Sequence, residues 1–481
     1  MIKITFIVPP ALDEAKAAER TAGCTRVVYP VPNIYELTAV ALAETIDGVS
    51  VDYQDFAYPK RTEEDFVHFL ENDDSCLYAM WMVNLSIDND VTVCHLIHQI
   101  RPEARILMLG PGSTYFSDKC CQDSRDIVLR GEPEETLEEI LTCLRDEKDW
   151  THIRGISYRL DGKLVHNPTR QLIKDLDRLP FPARHFLKGK SFHNPKLKKG
   201  PYTTMVTSRN CPFHCIYCVP SSLSFAREIE YRRENDNKKP TVAFRSVENV
   251  EQEIRELSSQ GYRSIGFMDD NFIWNEQRTS AICAILSRYN ISWGCQARVD
   301  AITESIAKLL GESHCLYVDL GVESFNDDIL KYVKKGITRE QIYQAVALLK
   351  KYRVPVKLNI LIGCSPLETP ETVKETLREV KRLDVDQVMF NIVSPFPGTE
   401  YYEICKENGW LADGEYKPTD VQRSSNLNLP RLSAHEMERL LYRNNISYYL
   451  RLSYAIKQIR RFSSFQEFYA ALKALKEKLF G

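Results

Sequence analysis

Two long stretches of the chain alternate short, continuously apolar runs with segments whose apolar residues recur every three to four positions. Over residues 1–150 the runs are IKITFIV, SCLYAMWMV, RILMLG and DIVLRG, with NIYELTAVALAETI, VTVCHLIHQI and ETLEEILTCL between or after them. Strands that are apolar along their whole length are buried on both faces, so this pattern predicts a doubly wound parallel sheet with helices on both sides. The opening MIKITFIVPP ends in prolines and lacks a basic leader or a small-residue cleavage site, so it reads as the first buried strand. Residues 151–200 hold two alternating runs around Asp161-Gly162, a predicted hairpin. They are followed by a proline-rich, basic stretch with Pro168, Pro180, Pro182 and Pro195, the expected linker.

A second alternation fills residues 201–400. Its strands are YTTMVTS, SIGFMDD, ISWGCQARVD, CLYVDLGVES, VPVKLNILIG and QVMFNIVSP, and its helices are well punctuated. Thr338 with Gln341 forms a capping box flanked by an Ile337–Ile342 staple, and Thr369-Pro370 places a cap before proline at the first helical position. Six strand-helix units predict a partial (β/α)6 TIM-like barrel, whose chemistry belongs at the C-terminal strand ends. Charges cluster there: Asp269 and Asp270, Arg298 and Asp300, and Glu323. Residues 401–481 read as a helical cap or substrate-shaping segment, whose aromatic and basic content also suits a membrane surface or a lipid-like substrate.

Composition narrows the function classes. The 63 basic and 66 acidic side chains nearly balance, which argues against nucleic acid as the partner. No run is long enough to span a bilayer, so a cytoplasmic protein is expected. Most of the 14 cysteines stand singly in apolar contexts and read as core residues. Cys24, Cys94, Cys120 and Cys121 are too irregularly spaced to suggest a second metal site.

One cysteine group is different. SRNCPFHCIYC places Cys211, Cys215 and Cys218 four and then three residues apart, just after the first strand of the barrel. Three thiolates leave one iron of a four-iron cube without a protein ligand, free to chelate a substrate or cofactor. The competing structural zinc site would need a fourth ligand, for which His214 inside the loop is poorly placed.

This loop resembles the three-cysteine motif of the radical S-adenosylmethionine (SAM) superfamily. The resemblance implies a 4Fe-4S cluster on Cys211, Cys215 and Cys218, SAM on the unique iron, and reductive cleavage of SAM to a 5'-deoxyadenosyl radical. The segments GFMDDNFIWN, WGCQARVD, GVESFNDDILKYVKKGITREQI, LNILIGCSPLETPETV and SPFPGTEYYE look like the branch with an N-terminal cobalamin-binding domain, which includes cobalamin-dependent methyltransferases and the anaerobic Mg-protoporphyrin monomethyl ester cyclase. By analogy Tyr217 lies against the adenine, Asp269, Asp270 and Asn271 near the SAM amino group, Arg298 near its carboxylate and Glu323 near its ribose. GCSPLET departs from the turn usual in the branch, glycine-x-proline-glycine-glutamate.

Residues 1–150 resemble the cobalamin-binding domain of that branch, with Gly110, Gly112, Ser113 and Thr114 in one turn and Gly131 and Glu132 in another as the implied contacts. The aspartate-x-histidine-x-x-glycine signature is absent; the near miss DWTHIRG, Asp149 to Gly155, has one residue too many. Any bound cobalamin is therefore expected base-off, without a histidine ligand. The resemblance implies C-methylation of an unactivated carbon through methylcobalamin, with an external donor such as flavodoxin or ferredoxin and a small-molecule or lipid-like substrate. The alternatives are a non-methylating radical transformation (ring formation, ring contraction, oxidation or dehydration) and a catalytically silent cobalamin-binding or redox-sensing protein. No catalytic acid or base is identified.

Overall fold

The computed structural model describes residues 1–12, 17–23, 25–26, 30–190, 192, 194, 196–197 and 200–459. Cys24, Pro195 and the end of the C-terminal segment, 460–481, lie outside the described residues. The first sheet contains β1 (Ile2–Val8), β2 (Val49–Asp55), β3 (Leu77–Trp81), β4 (Arg105–Leu109), β5 (Asp126–Leu129), β6 (Ile156–Leu160) and β7 (Lys163–His166), in the order β2-β1-β3-β4-β5-β6-β7. The first five strands pair in parallel; four carry the predicted apolar runs, whereas the edge strand β2, VSVDYQD, is not among the runs read from the sequence. The predicted hairpin adds β6 and β7 antiparallel at one edge. Its turn needs left-handed backbone at both central residues, and Asp161 and Gly162 stand at φ 49° and 76°. The order 2-1-3-4-5 reverses direction between β1 and β3, the point at which open sheets of this kind bind ligands.

The second sheet carries β8 (Tyr202–Met205), β11 (Ser264–Phe267), β12 (Ser292–Arg298), β13 (Cys315–Glu323), β14 (Val356–Ile362) and β15 (Gln387–Ile392), all parallel, in the order β15-β14-β13-β12-β11-β8. A short ribbon, β9 (Ser208–Arg209) and β10 (Ala243–Phe244), stands apart. Among the described residues this is the expected partial barrel of six strands, open between β15 and β8. One face of each strand enters a single core with the surrounding helices, through residues such as Cys295, Val318, Leu358 and Phe390. Both predicted caps form: Thr338 with Gln341, and Thr369 with Pro370 at the first turn.

The C-terminal helix Ala434–Tyr449 lies along β15. Tyr448 Oη donates to Val385 O at 2.9 Å, Tyr449 Oη donates to Val388 O, and Ile392 N donates to Val421 O at 2.8 Å. These bonds occupy the backbone of an edge strand that would otherwise be open to pairing with another chain. No described helix is long and apolar enough to cross a membrane.

Candidate active site at the barrel mouth

The cysteine loop leaves the barrel through a strained residue. Asn210, immediately before Cys211, has φ +70°. Its N–H donates to Ser224 Oγ at 2.9 Å, its Nδ2 donates to Ser224 O at 3.1 Å, and its Oδ1 accepts from Arg227. Asparagine tolerates this conformation better than most residues, and three bonds to the helix Ser222–Arg233 fix it. Further along, Cys218 N donates to Cys215 O at 3.2 Å, and Ile216 N donates to Val333 O at 3.2 Å, tying the loop to the segment after β13.

The three thiols are free and partly exposed, and they sit among cations. Lys239 donates to Phe213 O at 2.9 Å inside the loop, and the Arg298 guanidinium stacks 3.5 Å above the Phe213 ring. Burial pushes the Cys211 thiol up to about 11 and also raises Cys218, while Lys239 opposes both shifts and Lys335 opposes that of Cys218. Cluster assembly must displace these protons, and the cations favour the thiolates that result.

The predicted SAM residues surround this loop with different commitments. Asp269 is buried and accepts from Thr207 N at 3.1 Å, Thr207 Oγ1 at 2.8 Å and Ser208 Oγ at 2.6 Å. Burial raises its carboxyl to about 6 against those donors. It staples the end of β11 to the turn after β8. Asp270 accepts Ser221 N at 2.6 Å through Oδ1, while its Oδ2 and the Oδ1 of Asn271 are buried and unpartnered. Asp270, close enough to Cys211 to raise its pKa, thus keeps an unmatched acceptor that suits a ligand bringing N–H donors, as the ammonium of SAM does.

On the opposite side, Glu323 ends β13 at φ +65°, beside a register shift between β13 and β14. It accepts from Lys335 Nζ at 2.6 Å, and the same ammonium lies 3.4 Å from Tyr217 Oη. Burial works against the Lys335 charge, but Glu323 and Cys215 outweigh it and its pKa is raised. Arg298 makes two 2.9 Å bonds to Asp300 and one of 2.8 Å to Lys335 O. Lys239, Lys335, Phe213 and Asn210 were not found by motif reading. Asn210 and Phe213 stand inside SRNCPFHCIYC, and Lys335 in KYVKKG, a basic run just after the Glu323 segment; Lys239 has no such marker.

The first sheet presents the C-terminal ends of its strands to the same helix, Ser222–Arg233. Trp81 Nε1 donates to Ser222 Oγ at 3.0 Å, Arg130 Nε donates to Glu230 at 2.9 Å, and Arg233 donates to Thr114 O at 3.0 Å. Glu132 accepts from Arg209 at 2.7 Å and from Ile173 N at 2.9 Å, and lies 2.9 Å from the Arg227 guanidinium; Arg209 also reaches Glu134 at 2.6 Å. A Cβ on Gly110 would stand 2.5 Å from Met82 O, and one on Gly112 2.9 Å from the Val83 carbonyl carbon, so these glycines let the turn after β4 pack against the end of β3. Ser113 and Thr114 are buried beneath that turn. Gly131, at φ +73°, lies against Glu230. Four of the unmatched polar atoms of this domain belong to the segments that follow β1 and β3: Asn33 Nδ2, Glu36 Oε2, and both amide atoms of Asn84. Cys94, Cys120 and Cys121 are buried in an apolar cluster, and His152 of the near-miss motif is exposed beside Asp149.

The model of the radical SAM superfamily matches residues 205–380, which begin at the end of β8 and enclose the cysteine loop. Residues 205–380 thus form a radical SAM domain. A 4Fe-4S cluster and SAM are the cofactors of that superfamily, and the free cysteine triad and the unmatched acceptors fit them. Over 95% of both chains the protein is 29% identical to an uncharacterised methyltransferase of Pyrococcus horikoshii. It is 26% identical to the anaerobic magnesium-protoporphyrin IX monomethyl ester cyclase of Rubrivivax gelatinosus, over 63% of this chain and 54% of that one. Among solved structures, the cobalamin-dependent radical SAM enzyme OxsB, with aqua-cobalamin and SAM bound, shares the fold: TM-score 0.70 at 15% identity, over 100% of this chain and 72% of that one.

Proposed function

We propose that this protein is a cobalamin-dependent radical SAM methyltransferase acting on an unactivated carbon of a small molecule. The observation that carries the reading is positional. The C-terminal edge of a flavodoxin-like sheet and the three-cysteine loop face one another across a single helix, Ser222–Arg233, bonded to both. When bound, cluster and SAM supply the 5'-deoxyadenosyl radical, and cobalamin supplies a methyl carrier. Proximity of the two sites is the protein's main contribution to such chemistry.

In this reading Cys211, Cys215 and Cys218 hold the cluster, with Lys239 and Lys335 offsetting its charge. Asp270 and Asn271 accept the SAM ammonium, and Asp269 keeps their turn in place. Arg298 faces the SAM carboxylate while fixing Phe213 of the loop. Glu323, oriented by Lys335, faces the ribose, and Tyr217 lies beside the adenine. Cobalamin fits the β1/β3 reversal, where Asn33, Glu36 and Asn84 offer unmatched polar atoms. Gly110, Gly112, Ser113, Thr114, Gly131 and Glu132 build the wall of that space by fixing the contact with the barrel.

The name of the Pyrococcus horikoshii relative supports methylation, and that of the Rubrivivax gelatinosus cyclase supports the second reading, ring formation on the same scaffold. Anaerobic reconstitution with iron, sulfide and hydroxocobalamin, followed by desalting and turnover with SAM and a chemical reductant such as dithionite, tests the choice. About one cobalamin per chain with both 5'-deoxyadenosine and S-adenosylhomocysteine as products is expected. 5'-Deoxyadenosine without S-adenosylhomocysteine would replace methylation by the second reading.

A further inference from the structure

The concave face of the barrel sheet is polar in a regular way. The pairing places Gln296 of β12 opposite Asp319 of β13, Asp319 opposite Lys357 of β14, and Lys357 opposite Gln387 of β15. Four polar side chains thus form one row across four adjacent strands. Asn359 stands two residues nearer the mouth on β14, and Asn391 nearer still on β15. The residues alternating with them, such as Leu358 and Phe390, belong to the core under the helices, so the row faces the opposite way. Gln296 is exposed, and Asn359, Gln387 and Asn391 are half-buried.

None of these amides has a side-chain hydrogen bond among the described residues, and Asn391 Oδ1 is buried without a partner. The charges are unequal as well. Lys196 enters from the segment before β8, stacks 3.9 Å above the Tyr317 ring and meets Asp319 at 2.8 Å; Lys357 meets the same carboxylate at 2.8 Å. One carboxylate thus answers two ammonium groups, and Lys357 gives Asp319 one bond, which leaves its other N–H donors for a ligand. Enclosed charge of one sign in excess favours a ligand of the other.

We propose that this row is the substrate floor of the barrel and that the substrate is a small, water-soluble anion rich in hydrogen-bonding groups. The inference rests on the reading of the chain as a radical SAM enzyme, and it decides between the small-molecule and lipid-like substrates left open by the sequence. An alkyl chain on this floor would strand the row's amides and the spare Lys357 donors, at about 1–3 kcal/mol for each group left unmatched. A carboxylate or phosphate beside Lys357, with its body along the amides, satisfies them.

The test uses the reconstituted full-length protein in equilibrium dialysis against two extracts of the source cells: the aqueous methanol phase, and the chloroform phase dispersed in detergent. Retained solutes are identified by mass. We expect a solute from the aqueous phase that an anion-exchange resin also retains, with retention at least tenfold lower in Lys357→Met and Gln296→Leu and restored in Lys357→Arg. Retention from the chloroform phase alone, no retention, or retention that the substitutions leave untouched overturns the proposal. SAM cleavage to 5'-deoxyadenosine is measured on the same wild-type sample. An anion retained by a protein that cannot cleave SAM would refute the radical SAM reading and leave the anion site standing.

Discussion

Replacing Glu132 by glutamine should damage the joint between the two sheets more than any motif suggests. Glu132 and Glu134 face Arg209 and Arg227, two anions against two cations, all with side chains 7% exposed or less. The glutamine keeps the shape and an acceptor for Ile173 N but leaves one buried positive charge in excess. Removing one partner of a buried pair costs about 3–5 kcal/mol, because the remaining charge keeps its desolvation penalty and loses its counter-ion. That is a factor of roughly 10² to 10³·⁵ in the equilibrium of the transition that opens the joint. Urea titration followed by tryptophan fluorescence suits the measurement, since Trp81 donates to Ser222 across the same joint. The double variant Glu132→Gln with Arg227→Met restores the balance, so it should recover most of the loss. A loss below about 1 kcal/mol in the single variant, or a double variant as unstable as the sum of the singles, would refute the charge argument.

Three further outcomes are expected. Alanine at Cys211, Cys215 or Cys218 should abolish the reconstituted cluster, read as iron content and visible absorption, while the first sheet keeps its thermal transition; a variant that still binds four irons would remove the assignment. Asp270→Asn should raise the SAM dissociation constant about tenfold or more, the effect of losing one charge-assisted contact; unchanged affinity by isothermal titration would exclude the carboxylate from the SAM site. Burial lifts the Glu36 carboxyl to about 8, so between about pH 4.5 and 8 the folded state keeps a proton that the unfolded state has lost. Stability should fall by about 1.4 kcal/mol per pH unit across that window, and Glu36→Gln should flatten the slope; parallel urea-midpoint profiles for the two proteins would contradict it.

The cysteine loop was legible because its chemistry is local: the ligand set and its spacing lie within eight residues, Cys211 to Cys218. Apart from the edge strand β2, whose VSVDYQD carries no apolar run, the strands of both sheets were legible from runs that are apolar over most of their length. The cations around the loop were not. Lys239 and Lys335 come from segments 21 and 117 residues beyond Cys218, and a lone lysine on a loop has no period or spacing to betray it. The glycine turns after β4 and β5 show the opposite difficulty. Their sequence reads as ligand approach, but Gly110 and Gly112 answer a steric demand from the end of β3, and Gly131 one from Glu230 on the helix Ser222–Arg233.

The barrel floor was written in the sequence in a form that the apolar runs hid. KLNILI and QVMFNI keep their polar residues on one face: Lys357 and Asn359 on one strand, Gln387 and Asn391, with Met389 between them, on the next. In a parallel sheet whose other face is covered by helices, such alternation means that the second face is wet or occupied. What the alternation cannot supply is register. Only the pairing Asp319 with Lys357 and Lys357 with Gln387 turns separate polar positions into one row with a charge excess. A one-residue slip would bury the amides and expose the leucines. The same row explains why the C-terminal helix caps β15: Gln387, Met389 and Asn391 lie on an edge strand, and the bonds from Tyr448 and Tyr449 hold that wall in place. If the floor is the substrate site, shortening these tyrosines to phenylalanine should weaken retention of the anion more than it lowers the iron content. Equal loss of both would mean that the helix supports the barrel as a whole.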